Sequence, residues 1–143
     1  SQTTMNAGLV LAKWNQQAGL GRVLSGEVGL ITERNPDTVR GADVAYYSYQ
    51  RLPKEVQGDS FCAVPPELVV EIVGKGQGWR DMVTKAAEYL HMGVDRVWII
   101  DPRSQQLHIY RSDAEPVILK GDNTLTDPLL PGFSCRVEEF FAA

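Results

Sequence analysis

One segment constrains this chain more than any other. Glu67–Val73 reads ELVVEIV, an almost unbroken apolar run of strand length. Such runs belong to a central strand covered on both faces. The interruption is Glu71, whose neighbours are all aliphatic. An isolated ionised carboxylate is costly there, so it takes up a proton or finds a cation. Strand alternation puts Glu71 on the face of Val69 and Val73, opposite Leu68, Val70 and Ile72. Three structural explanations compete with a functional one: an arginine partner, pairing with an N–H, or a place at the sheet edge. Buried acids cluster at functional sites, which keeps the functional reading open.

The flanking patterns supply the rest of the architecture. Gly74–Gly78 (GKGQG) is a turn, and Trp79–Met92 has helical period. Trp79, Met82, Val83, Ala86 and Leu90 share one helix face, and Gly93 is a natural C-terminal stop. Asp95–Asp101 (DRVWIID) is a second central-type strand, ended by Pro102. Upstream, Thr4–Gln17 reads as a helix with Asn6 as its cap, punctuated by Gly19 and Gly21. Arg22–Thr32 reads as a strand in which Gly26 and Gly29 signal bending or close backbone approach. Glu33–Thr38 (ERNPDT) is turn chemistry, and a second strand over Val39–Tyr47 completes a hairpin. Ser48–Pro66 reads as a loop with Pro53, Gly58 and the Pro65–Pro66 pair. Downstream, Gln106–Arg111 and Val117–Leu119 are shorter hairpin strands, and the tail LLPGFSCRVEEFF ends in a helical turn. The order predicts an α/β fold, a mixed central sheet flanked by helices. Trp79 and Trp98 read as core, and Tyr46, Tyr47 and Tyr49 as sheet and loop packing.

Composition narrows the function classes. The 143 residues fit one domain over 1–143. With 14 Lys plus Arg against 18 Asp plus Glu, the net charge of −4 excludes a strongly basic nucleic-acid coat. It leaves open a metal-assisted phosphate site, which needs local carboxylates. Cys62 and Cys135 lie far apart and form neither a disulfide framework nor a Cys-x-x-Cys knuckle, so they read as reduced, mostly buried thiols. His91 and His108 are the only histidines, which argues against a His-rich zinc site. No basic n-region precedes an apolar core, and no apolar run approaches the roughly 18 residues of a membrane span. The expected compartment is the cytoplasm, with no membrane partner.

Further polar residues stand near Glu71 in this scheme. Asp43 lies in the preceding strand, in RGADVAYYS. Taken alone it reads as a strand-start acid on the surface. Two acids on adjacent strands at matched depth would instead make a hard oxygen site suited to Mg²⁺. Asp81 and Lys85 are four apart on the second helix, the spacing of an exposed pair worth tenths of a kcal/mol. Yet Lys85 lies about 120° from the centre of the apolar face, beside Tyr89. From there its stem can follow apolar surface and bring the ammonium to the sheet edge.

An Asp strand, a Glu strand and a nearby Lys within an αβββαβ order resemble the restriction-endonuclease-like PD-(D/E)xK nucleases. More closely, the chain resembles the Uma-type family of that superfamily. The matching segments are GEVGLITERNPDTVRGADVAYYS, PPELVVEIVGKGQGWRDMVTKAAEYLHMGVDRVWIIDP, LHIYR and LLPGF. The resemblance implies an Mg²⁺- or Mn²⁺-dependent endonuclease that hydrolyses DNA phosphodiester bonds. Asp43 and Glu71 would be metal ligands, helped by the Ile72 carbonyl, with Lys85 as the catalytic lysine. It also implies a homodimer, since such nucleases often cut two strands as pairs. The chain departs from the pattern in places. Ala42 replaces the proline before Asp43, Val73 stands where the wider motif has lysine, and GKGQG replaces a Ser-Pro-Ser-like turn. Lys75 in that turn is a second candidate for the lysine role. Residues usual before the first helix of the family, including an acidic segment, have no counterpart here.

Two other readings compete. GKGQG sits between a strand and a helix, with Asp101 ending the next strand, as in a dinucleotide-binding fold. Its spacing is G-x-G-x-G, a glutamate interrupts the strand, and hairpins follow in place of further βα units. The second alternative is a catalytically inactive nucleic-acid- or protein-binding module on the nuclease-like fold.

Overall fold

The computed structural model describes residues 1–56 and 63–143, so Gly58 and Cys62 lie outside the described residues. Helix α1 spans Gln2–Ala18 and is followed by strands β1 (Gly21–Glu33), β2 (Thr38–Ser48) and β3 (Leu68–Ile72). Helix α2 (Trp79–Met92) leads to β4 (Arg96–Asp101), β5 (Gln106–Arg111) and β6 (Ala114–Lys120). A two-strand ribbon of β7 (Thr124–Leu125) and β8 (Cys135–Arg136) precedes a 3₁₀ turn at Val137–Phe141. The six long strands form one sheet in sequence order. β3 and β4 are parallel and the other neighbouring pairs antiparallel, so the sheet is mixed.

The parallel pair explains α2. Antiparallel strands can be joined by a tight turn, but parallel ones need a crossover, which here is a helix. Gly93 ends that helix at φ 115°, its N–H bonded back to Leu90 and Tyr89 carbonyls. Every residue of β3 is buried, as its apolar run requires. Odd and even positions serve different cores. Leu68, Val70 and Ile72 join Trp98, Phe133, Phe140 and the α1 residues Ala7 and Leu11 on one face. Val69 joins Val97, Ile99, Met82, Ala86 and Tyr89 on the α2 face.

Three local expectations are corrected. α1 is capped by Ser1, whose Oγ accepts from Thr4 N at 3.2 Å. Asn6 instead sits in the second turn and donates to the Phe140 and Ala142 carbonyls at 2.9 and 2.7 Å, tying α1 to the C-terminal turn. On α2, the residues buried are Met82, Ala86 and Tyr89. Trp79 is 37% exposed and is not core. Trp98, by contrast, is fully buried.

Candidate functional site

β2 and β3 bring the two acids together. Val44 faces Val70 and Ala45 faces Val69, so the register continued by one residue sets Asp43 opposite Glu71. Both line one groove of about 730 Å³ at the end of β3, together with Glu27, Lys75, Lys85 and Asp101. Asp43 is half-buried, and its Oδ2 accepts from Ile72 N at 2.7 Å. That bond satisfies a backbone donor at the end of β3 and fixes the carboxylate.

Glu71 is 4% exposed and has two partners on one oxygen. The Tyr89 hydroxyl donates to Oε1 at 2.9 Å, and Lys85 Nζ lies 3.2 Å from the same atom. Lys85 also donates to the Gly41 carbonyl at 3.0 Å. Lysine and tyrosine are four apart on α2, so one helix face delivers both. Burial pushes the Glu71 carboxyl up to about 7. Lys85 opposes that rise and the negative charge of Asp43 adds to it. Burial and the neighbouring Glu71 carboxylate push the Tyr89 hydroxyl far above its ordinary value, so it stays a donor. Among the described residues no hydrogen bond reaches Asp43 Oδ1 or Glu71 Oε2. Among the described residues each acid therefore has one oxygen held by a hydrogen bond and one without.

Of the sequence candidates, the structure brings Asp43, Glu71 and Lys85 together. Lys75 is exposed on the turn that borders the groove. The exposed Asp81–Lys85 pair expected from spacing gives way to the Lys85–Glu71 pair. Two residues escaped the sequence reading. Tyr89 was visible only as a neighbour of Lys85; its hydroxyl partner lies on another element. Glu27 lines the groove from a bulge in β1, where Gly26 and Glu27 have φ 84° and 60°. Gly26 is the signal of that bend, and the Glu27 side chain lies beside Gly41 across the hairpin.

The groups on which a nucleotide-binding reading rests are engaged within their own turns. Gly74 N donates to Gln77 Oε1 at 2.8 Å, and Asp101 accepts from Arg103 N and Ser104 Oγ, each at 3.0 Å. Among the described residues no cluster of three or more His, Cys, Asp or Glu side chains is arranged to hold a metal. The donors present are two carboxylates with free oxygens, hard ligands of the kind Mg²⁺ and Mn²⁺ prefer. No helix is long and apolar enough to cross a membrane among the described residues.

Comparison with known proteins agrees with this architecture. The fold is similar to the crystal structure of a "putative nuclease belonging to DUF820" from Anabaena variabilis ATCC 29413, with a TM-score of 0.81. Identity is 18%, over 99% of this chain and 79% of that one. A search of curated proteins finds no match. The Uma2 family, described as "Putative restriction endonuclease", matches residues 2–138. The chain belongs to the Uma2 family.

Proposed function

We propose that this protein hydrolyses DNA phosphodiester bonds with a divalent ion held by Asp43 and Glu71. The observation that carries the reading is the pair of carboxylates facing one groove, each with a free oxygen, beside a lysine anchored on Glu71. Mg²⁺ or Mn²⁺ would be held by Asp43 Oδ1 and Glu71 Oε2, with the Ile72 carbonyl as a further ligand. Bound there, such an ion supplies an activated water and stabilises charge on phosphate oxygens. Asp43 is held in place by Ile72 N, and Tyr89 holds Glu71, so neither carboxylate must reorganise. Lys85, bonded to Glu71 and the Gly41 carbonyl, brings its ammonium to the groove, where it offsets the carboxylates and attracts a phosphate. We place the work in the cytoplasm, on DNA, by a two-fold pair of chains.

Purified protein on supercoiled plasmid and on single-stranded DNA tests the reading. Cleavage should require Mg²⁺ or Mn²⁺, stop in chelator and vanish in Asp43→Ala. Cleavage that persists in Asp43→Ala would assign it to a contaminant or to another site. DNA binding without cleavage in any metal would favour the inactive binding module.

A further inference from the structure

Trp79 is the exposed tryptophan. Trp98 is fully buried, and Trp14 packs edge-on against Tyr46 and Phe133. Trp79 is the first residue of α2 and lies against His108, ring centroids 4.4 Å apart and planes at 57°. His108 faces Ile99 on β4 and Ile118 on β6, so all three share the α2 face of the sheet. Ile99 is buried, whereas Ile118 is 55% exposed. His108 is half-buried and the Trp79 indole N–H donates to the Tyr110 hydroxyl, so the pair forms a partly open aromatic surface at the rim of the α2-face core, bordered by the exposed side chain of Ile118.

Its position ties it to the groove. The turn that supplies Lys75 and Gln77 to the groove wall runs directly into Trp79. The turn that supplies Asp101 and Arg103 runs directly into β5, which carries His108. Three cations stand around this path: Lys75 and Arg103 on the two turns, and Lys120 on the face of Ile118. All three are exposed, and none is ion-paired among the described residues. Unpaired cations on the turns that lead to a partly exposed aromatic pair match a polyanion that also presents flat bases. A protein partner would match the apolar part but leaves the cations unexplained.

We propose that Trp79 and His108 form a nucleobase-stacking subsite. It takes an unpaired base of a DNA strand whose backbone leaves the groove past Lys75 and Arg103. The inference rests on DNA being the substrate of the groove. Stacking tolerates any base, because every base has a π-face. The subsite thus gives grip on single-stranded or distorted DNA without reading sequence.

Affinity is read by anisotropy of labelled oligonucleotides with Ca²⁺ in place of Mg²⁺, so that binding is read apart from cleavage, and contact with Trp79 is read as the part of the tryptophan quenching that Trp79→Ala loses. The probes are single-stranded oligo-dT and an oligonucleotide of equal length with abasic sugars. Oligo-dT should quench the wild-type emission, and the abasic strand should not. Trp79→Ala should bind oligo-dT roughly tenfold more weakly, and Trp79→Phe should recover most of that loss. Thermal melts identify the variants that are folded. Equal quenching by both probes, or Trp79→Ala and wild type binding alike, would overturn the subsite and assign Trp79 to packing over β5. Plasmid cleavage is scored separately. Cleavage with no base-dependent quenching sinks the subsite alone, whereas base-dependent quenching without cleavage sinks the nuclease reading alone.

Discussion

At the scale of single residues, Glu71 governs both stability and metal binding. Its carboxyl sits at about 7 in the folded, metal-free chain, above the ordinary value of 4.5. Between those values the folded state keeps a proton that the unfolded state releases. Stability of the metal-free protein should therefore fall as pH rises from about 4.5 to about 7 and level off above, by on the order of a few kcal/mol. Denaturant titrations in chelator at pH 5 and pH 8 measure this. A divalent ion competes with the same proton, so Mg²⁺ should bind more tightly at pH 8 than at pH 6. Higher stability at pH 8 than at pH 5 in chelator would show that Glu71 is already ionised in the folded chain. That Glu71 needs a partner was legible from ELVVEIV alone, because the desolvation argument uses only its neighbours. Which partner it finds was not, since an arginine, an N–H or an edge position satisfies the same argument.

At the scale of elements, α2 is the arm that completes the site. Its limits, Trp79 and Met92, follow from the change of period and from Gly93. Its buried face does not follow from apolarity. Val83 and Leu90 are half-buried and Trp79 exposed, while Tyr89 is fully buried. By helical period Tyr89 falls on the shoulder of the apolar face, and its hydroxyl can be buried there only with a partner. That partner, Glu71, lies on a strand 18 residues earlier. Tyr89 turned inward also carries Lys85 toward the groove, since the two are one turn apart. Tyr89→Phe keeps the ring and removes the bond to Glu71. It should lower stability by about 1–2 kcal/mol and raise the Mn²⁺ concentration needed for half-saturation. Urea denaturation and Mn²⁺ titration by electron paramagnetic resonance read the two effects. Wild-type metal affinity in the variant would limit the hydroxyl to satisfying the core.

At the scale of the whole molecule, the net charge of −4 must be reconciled with a polyanionic substrate. Most of the excess acidity falls after Lys120, while Asp43 and Glu71 would be offset by their ion. DNA affinity should therefore be weak and metal-dependent. In chelator at moderate salt, duplex DNA should bind no more tightly than the micromolar range of nonspecific contacts. Fluorescence anisotropy with and without Mg²⁺ checks this, and tight binding in chelator would point to a basic surface that the charge does not provide. The sequence by itself determined the αβββαβ order, because apolar period and turn residues are local properties of the chain. It also singled out Glu71 as a buried acid, for the same reason. Only the tertiary structure decided that Asp43 accepts from Ile72 N, that Tyr89 and Lys85 share one oxygen of Glu71, and that Trp79 lies partly exposed against His108. Those outcomes depend on strand register and on the rotation of α2 over the sheet. Both are set by packing between segments far apart in sequence, and a pattern read along the chain carries no information about that packing.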